Sequence, residues 1–324
     1  MTHVATLVCD PGFPALSQRH VETAVAALPQ AQAPQWLDPN VAADILFVAE
    51  DGVDLRGYAE AVRTALAPTP IDVIVQKAEG RRKALFLADM DSTMIGQECL
   101  DELADFIGKK PEVSAITERA MRGEIAFEPA LRERVALLKG LRTEAIADVI
   151  RKKITLTKGG DILVQTMRKH GAYTALVSGG FTGFTSVVAE RLGFEEHQAN
   201  TLLVEDGKFI GLVGEPILGK EAKLAALLRL REARHLAKEA TLAVGDGAND
   251  LAMLAEAGLG IAYRAKPAVA AAAHARIDHG DLTALLYAQG FRRDEFWSAP
   301  RQQLDASDWK RKYGGLERAH ERTR

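Results

Sequence analysis

The chain has 324 residues, with 41 Lys and Arg against 44 Asp and Glu and a formal net charge of -3. Hydrophobic residues make up 47% and charged residues 26%, a balance that excludes a disordered chain and implies packed cores for about two ordinary domains. The charge balance leaves no electrostatic case for nucleic acid or an anionic membrane as partner, and no apolar run reaches the ~18 residues of a membrane helix. Cys9 and Cys99, the only two cysteines, fit no metal-ligand spacing and point to a reducing compartment. With no basic stretch leading into an apolar one at the N-terminus, a soluble cytoplasmic protein is expected.

Residues 1–80 read as a small α+β unit. His3–Cys9 is an apolar strand closed by Asp10-Pro11-Gly12. Val21, Val25 and Leu28 recur at helical spacing, with Ser17 as N-cap and Pro29 as stop. A weak strand near Gln35–Leu37 and a buried one at Asp44–Ala49 follow, then a helix marked by Leu55, Tyr58, Val62 and Leu66. Ile71, Val73 and Val75 alternate as a strand. The order β-α-β-β-α-β is the ferredoxin-like (ACT-like) pattern. Polar Gly80-Arg81-Arg82-Lys83 marks a boundary, and nothing before it forms a catalytic set.

Ala84–Ala88 is uniformly apolar and runs into acidic residues, as a buried parallel strand does at a sheet edge that carries an active site. Four helical stripes follow between about 98 and 154, stopped by Gly108 and Gly140, which predicts a helical cap inserted after the first core strand. Strand–helix alternation resumes over 155–292, with strands at Thr174–Val177, Thr241–Val244 and Leu259–Tyr263 and an Asp-Gly hairpin at Glu205–Lys208. The expected division is therefore 1–80, a core of 81–97 and 155–292, a cap of 98–154, and a tail of 293–324. Within that tail, Lys310–Arg324 reads as frayed.

Four features carry chemistry. In Asp89-Met90-Asp91-Ser92-Thr93, residues i and i+2 of an extended segment face one side, so Asp89 and Asp91 project together. Either they form a polar strand terminus, or one is nucleophile and hard-metal ligand and the other a proton donor. Gly245-Asp246-Gly247-Ala248-Asn249-Asp250 crowds oxygen ligands of the magnesium type onto a glycine turn. Its alternative reading is a helix N-cap at Asn249 with acidic neighbours. Ser178-Gly179-Gly180 reads as an anion site at a helix N-terminus, or as ordinary turn chemistry. A lysine ahead of the last strand, Lys220 or Lys223, is a surface residue unless the other three already define a phosphate site.

In kind and order these features resemble the four motifs of the haloacid dehalogenase superfamily, over about residues 84–290. Asp89–Ile95 with Glu98 resembles the phosphoserine phosphatase branch of it. So do Phe127-Glu128 with Arg132 and Arg134, Val177–Phe181 and Val244–Asp250. The resemblance implies a doubly wound α/β core, magnesium, and hydrolysis of phosphoserine through a phosphoaspartate, the last step of serine biosynthesis. It makes Asp89 the nucleophile and Asp91 the general acid and base. Magnesium would sit on the Asp89 carboxylate, the Asp91 carbonyl and Asp246, with Asp250 as an orienting group. Ser178, Gly179, a lysine and Asn249 would hold the phosphate end, and Glu98 and Arg134 the ammonium and carboxylate of the substrate. For the lysine, the spacing Lys-x-x-x-Leu fits Lys220 with Leu224, whereas counting back from Asp246 favours Lys223. Lys220 is taken, because Arg229–His235 reads as a longer helix and turn.

Three other readings stay open: a phosphotransferase to another hydroxy-amino acid, a related small-molecule phosphatase, and an amino-acid-sensing protein with a relic core. Residues 1–80 are expected to be dispensable for chemistry and to serve regulation or assembly, a homodimer being the assembly such a unit can form.

Overall fold

The computed structural model describes residues 2–50, 52, 54–121 and 124–298. The N-terminal elements are β1 (His3–Val8), α1 (Gln18–Ala26), β2 (Gln35–Asp38), β3 (Ala42–Phe47), α2 (Leu55–Leu66) and β4 (Asp72–Lys77). They build an antiparallel sheet of order β2-β3-β1-β4, the expected ferredoxin-like pattern. Ser17 caps α1 by accepting the His20 N–H, as its position predicts.

β5 (Leu85–Ala88) opens the second sheet. The chain then leaves it for four helices, α3 (Cys99–Phe106), α4 (Lys110–Met121), α5 (Phe127–Ala136) and α6 (Ala145–Lys152), where the stripes predict a cap. It returns through α7 (Gly160–Lys169), β6 (Tyr173–Phe181), α8 (Thr182–Leu192) and β7 (Glu196–Asn200). The hairpin β8 (Leu202–Glu205) and β9 (Lys208–Val213) comes next, turning at Asp206-Gly207 as the sequence predicts. Then follow α9 (Lys220–Ala233), β10 (Thr241–Gly245), α10 (Leu251–Glu256), β11 (Leu259–Tyr263), α11 (Pro267–Ala272), β12 (Ala275–Ile277) and α12 (Ala284–Ala288).

The six strands lie parallel in the order β12-β11-β10-β5-β6-β7. Both faces are covered, which is why β5 is apolar throughout. Phe86 and Ala88 pack with α7, α8 and α12, and Leu85 and Leu87 with α9, α10 and α11. From β5 the strand order runs outward both ways, so the crevice beyond its C-terminal end is a topological switch point.

The boundary at Gly80–Lys83 is a tight passage rather than a loose linker. Arg81 binds the buried Asp44 carboxylate at 2.5 Å, and its guanidinium lies against Gly290, where a side chain would collide with it. Val8, Leu37 and Ile74 share one core cluster with Leu285, Tyr287 and Phe291. The Tyr287 hydroxyl donates to Asp38 at 2.6 Å, and Gln76 Nε2 to the Ala288 carbonyl at 2.6 Å. The buried Asp72 carboxylate accepts the N–H groups of Asp278, His279 and Gly280, just beyond edge strand β12. Removing residues 1–80 would uncover this apolar seam. An Asp72→Ala chain is expected to lose about 3 kcal/mol, because buried donors are left without their acceptor. An unchanged urea midpoint would show that the clamp contributes nothing.

The expected tail from 293 divides. Trp297 exchanges hydrogen bonds with Thr166 on α7 and Phe296 packs against the core, so the first residues of the tail are tied down. Lys310–Arg324 lies outside the described residues.

Candidate active site

Asp89 follows β5 directly and its N–H still bonds to Val244 on β10. The chain then coils tightly through Met90–Met94, with Ser92 at φ 54° and the Ile95 N–H closing on the Met90 carbonyl. This turn sends Asp91 towards the cap. Its Oδ1 accepts the Cys99 N–H at 3.1 Å, at the start of α3, and its Oδ2 takes the Ser178 hydroxyl at 3.5 Å. Only glycine fits at 180, where a Cβ would stand 2.8 Å from Asp91 Oδ2.

At the end of β10, Gly245 is required because a Cβ there would stand 2.3 Å from the Asp250 Cγ. Asp250 is fully buried and spends both oxygens, Oδ1 on Lys223 at 2.6 Å and Oδ2 on the Gly247 N–H at 3.0 Å. Lys223 Nζ also lies 2.7 Å from Asp89 Oδ1. Burial works against its charge, yet Asp89 and Asp250 together raise its pKa. The lysine placement corrects the expectation. Lys220 is the first residue of α9, 70% exposed, with Glu221 at 3.8 Å as its ion-pair partner. Lys223 lies one turn further in, on the buried face of α9 with Leu227 and Leu230.

Burial raises the Asp89 carboxyl well above its usual range, against the pull of Lys223. Burial and the charge of Glu98 push Asp91 up to about 7, and burial with Asp250 pushes Asp246 up to about 6. Asp89, Asp246 and Asp250 each offer an oxygen within 4.8 Å of the others, against the single ammonium of Lys223. A cluster so short of positive charge, built from hard oxygen donors, fits a divalent cation. Asp89 keeps Oδ2 for it, since Lys223 and the Met90 N–H both sit on Oδ1. Among the described residues, Asp246 has only its Oδ1 engaged, by the Thr93 hydroxyl at 3.1 Å. Thr93, read in the sequence as part of the motif and given no role, is buried there.

The cap supplies the other half. Glu98, N-cap of α3, accepts the Ser92 hydroxyl at 2.7 Å and so meets the Met90–Met94 turn directly. Arg134 on α5 is half-buried; burial lowers its pKa, while the charges of Asp101 and Glu98 oppose this. Asp101 went unremarked in the sequence, although it stands three residues after Glu98 on one helical turn. Phe127, half exposed at the start of α5, lies over Gly179 and Gly219, where added Cβ atoms would meet its ring at 3.8 and 3.5 Å. Asn249 is exposed at the rim, its Oδ1 folded over Gly247. Hydrogen bonds and close oxygens thus bring Asp89, Asp91, Glu98, Ser178 and Asp246 together at the C-terminal ends of β5, β6 and β10, while Asn249 stands at the rim and Lys220 outside.

The sequence matches the family model of haloacid dehalogenase-like hydrolases over residues 86–255. A phosphoserine phosphatase of Streptomyces coelicolor is 39% identical over 262 residues, covering 80% of this chain and 64% of that protein, just under two thirds of its length. The phosphoserine phosphatase of Saccharomyces cerevisiae is 40% identical over 231 residues, 70% of this chain and 75% of that one. Among solved structures, a probable phosphoserine phosphatase from Vibrio cholerae superposes with a TM-score of 0.72 at 30% identity, over 91% of this chain and 88% of its own. The family model covers more than half of the chain and includes Asp89, Asp91, Lys223, Asp246 and Asp250, and the chain belongs to the haloacid dehalogenase-like hydrolases.

Proposed function

We propose that this chain hydrolyses O-phospho-L-serine to L-serine and phosphate, with magnesium as its metal. The observation that carries the reading is the Ser92–Glu98 hydrogen bond. It joins a phosphoryl site at Asp89 to a cap that carries a carboxylate, Glu98, and a guanidinium, Arg134, whose charges act on each other, the complement of an ammonium and a carboxylate. The names of the relatives agree with this substrate.

Asp89 attacks phosphorus through a carboxylate oxygen while the bond from phosphorus to the serine oxygen breaks. Asp91, held by Cys99 and Ser178, gives its proton to the departing serine oxygen. Asp91 then takes a proton from the water that attacks the phosphoaspartate, which frees phosphate and restores Asp89. A carboxyl pushed up to about 7 suits both duties near neutral pH. Lys223 opposes the charge that builds on the phosphoryl oxygens and orients Asp89. Asp89, Asp246 and the Asp91 carbonyl would hold the magnesium, which supplies further neutralisation of phosphoryl charge when bound. Ser178, Gly179 and Asn249 serve the phosphate end. In this reading residues 1–80 serve regulation or homodimer assembly, and the protein works in the cytoplasm.

A phosphate-release assay over phosphoserine, phosphothreonine, phosphotyrosine and an aryl phosphate, with and without magnesium, tests the reading. Phosphoserine should be the best substrate, and only with magnesium. Arg134→Ala and Glu98→Gln should each cost roughly 30- to 1000-fold in kcat/KM on phosphoserine, with far smaller losses on the aryl phosphate. Equal losses on both would move these residues from substrate recognition to cap folding.

A further inference from the structure

We infer that Asn200 is a positioning residue for the phosphoryl end of the site, an inference that rests on the phosphatase reading above. β6 and β7 pair in parallel through Ala175–Val177, lose register, and pair again at Phe181 with Asn200. The segment Ser178–Gly180 is the bulge between. It is not the turn at a helix N-terminus that Ser-Gly-Gly predicts, because β6 continues through it to Phe181. Bulges re-aim side chains beside active sites. This one turns the Ser178 hydroxyl towards Asp91, with the Gly180 N–H donating to it at 2.9 Å.

Asn200 closes the bulge. It is 2% exposed, and its Nδ2 donates to the Gly179 carbonyl at 2.9 Å and the Leu218 carbonyl at 3.2 Å. Its Oδ1 accepts the Leu218 N–H at 2.7 Å. Because Leu218 N–H can only donate, the orientation of the amide is settled by its partners. Leu218 precedes Gly219, the N-cap of α9, and Lys223 lies one turn inside that helix. A single planar amide therefore ties the segment bearing Ser178 and Gly179 to the start of the helix bearing Lys223. Two elements far apart in sequence are held at one spacing around the place where a phosphoryl group would sit. Aspartate would turn an acceptor onto two carbonyls, and alanine would take the side-chain partner from two part-buried acceptors and a part-buried donor. Asn200 has no contact with Asp89 or Asp91 among its hydrogen bonds, so it acts through its neighbours.

The test uses the full chain with Asn200→Asp, Asn200→Ala and Asn200→Gln. Val188→Ala, a truncation in the buried face of α8, serves as a control for general destabilisation. Four quantities are read on folded protein: kcat/KM on phosphoserine, kcat/KM on an aryl phosphate, inhibition by inorganic phosphate, and Tm. Asn200→Asp and Asn200→Ala should lose about 100-fold in kcat/KM on both substrates, the cost of a misplacement on the order of 1 Å, and inorganic phosphate should inhibit them more weakly. Asn200→Gln keeps the amide on a longer arm and should lose about tenfold. It decides the matter if the other two fail to fold. Variants that lower Tm as Val188→Ala does, yet keep parental kcat/KM and phosphate inhibition, would overturn the inference. Losses confined to phosphoserine would overturn it as well, because they would place Asn200 at the amino-acid end. Parental turnover tests the substrate reading separately. If the unaltered chain cleaves only the aryl phosphate, that reading falls, while the ratio of variant to parent on the aryl phosphate still judges Asn200.

Discussion

Asp89→Asn is expected to lower kcat on phosphoserine by about 10⁴-fold or more, since in the proposed mechanism it removes the nucleophile and one charge of the acidic cluster together. The position makes the loss hard to compensate. Asp89 follows β5, is 5% exposed, and meets Lys223 through one oxygen, so no neighbour can swing into its place without breaking the Lys223 bridge. Asp91 is the nearest candidate, but Cys99 and Ser178 hold it towards the cap. The substitution should leave the fold intact, because Lys223 keeps Asp250 at 2.6 Å and an amide is nearly isosteric with a carboxylate. Acid-quenched parent protein taken during turnover should carry a phosphoryl group on the peptide that contains Asp89, labile to hydroxylamine, and the variant should carry none. An Asp89→Asn chain with parental turnover would end the covalent mechanism.

How much of this was legible follows from where each element sits. The cap helices and β5 were readable because they bury whole faces, so their apolar periods survive in the sequence. β7 and β12 were not, and they are the two edges of the sheet. β7 reads Glu-His-Gln-Ala-Asn and β12 has three residues, in keeping with the short, polar strands found at edges. Asp89 and Asp246 are legible because each directly follows an apolar strand, and Asp91 and Asp250 lie two and four residues further on. Ser178–Gly180 reads as a helix-start anion site or as a turn, because nothing in Ser-Gly-Gly distinguishes either from a bulge. The bulge shows only in the pairing with β7, which resumes at Asn200, some 20 residues on. The seam between the two sheets was invisible for a similar reason. Asp72 and Gln76 look like polar interruptions of a strand until their partners beyond β12 are known.

Lys223→Met is expected to cost about 10³-fold in kcat/KM on phosphoserine, and Lys220→Met less than about twofold. The two lysines stand three residues apart, so helical phase alone nearly superposes them. Depth separates them. Gly219 caps α9, which leaves Lys220 at its exposed mouth. A signal was present in the sequence, since Lys223, Leu227 and Leu230 fall at i, i+4 and i+7, the spacing of a buried stripe. A lysine on such a stripe needs a partner, and Lys223 has two, Asp89 and Asp250. Removing its ammonium leaves two buried carboxylates facing each other, a change that typically costs about 3–5 kcal/mol, so Lys223→Met should also lower Tm. Lys223→Arg separates the two effects. It keeps the charge and much of the stability, but a planar guanidinium cannot place one donor between Asp89 and Asp250 as an ammonium does. It should therefore recover Tm while kcat/KM stays depressed by about 100-fold or more. If Lys220→Met shows the larger loss, or if Lys223→Met turns over phosphoserine at the parental rate, the phosphoryl site is organised around a different cation.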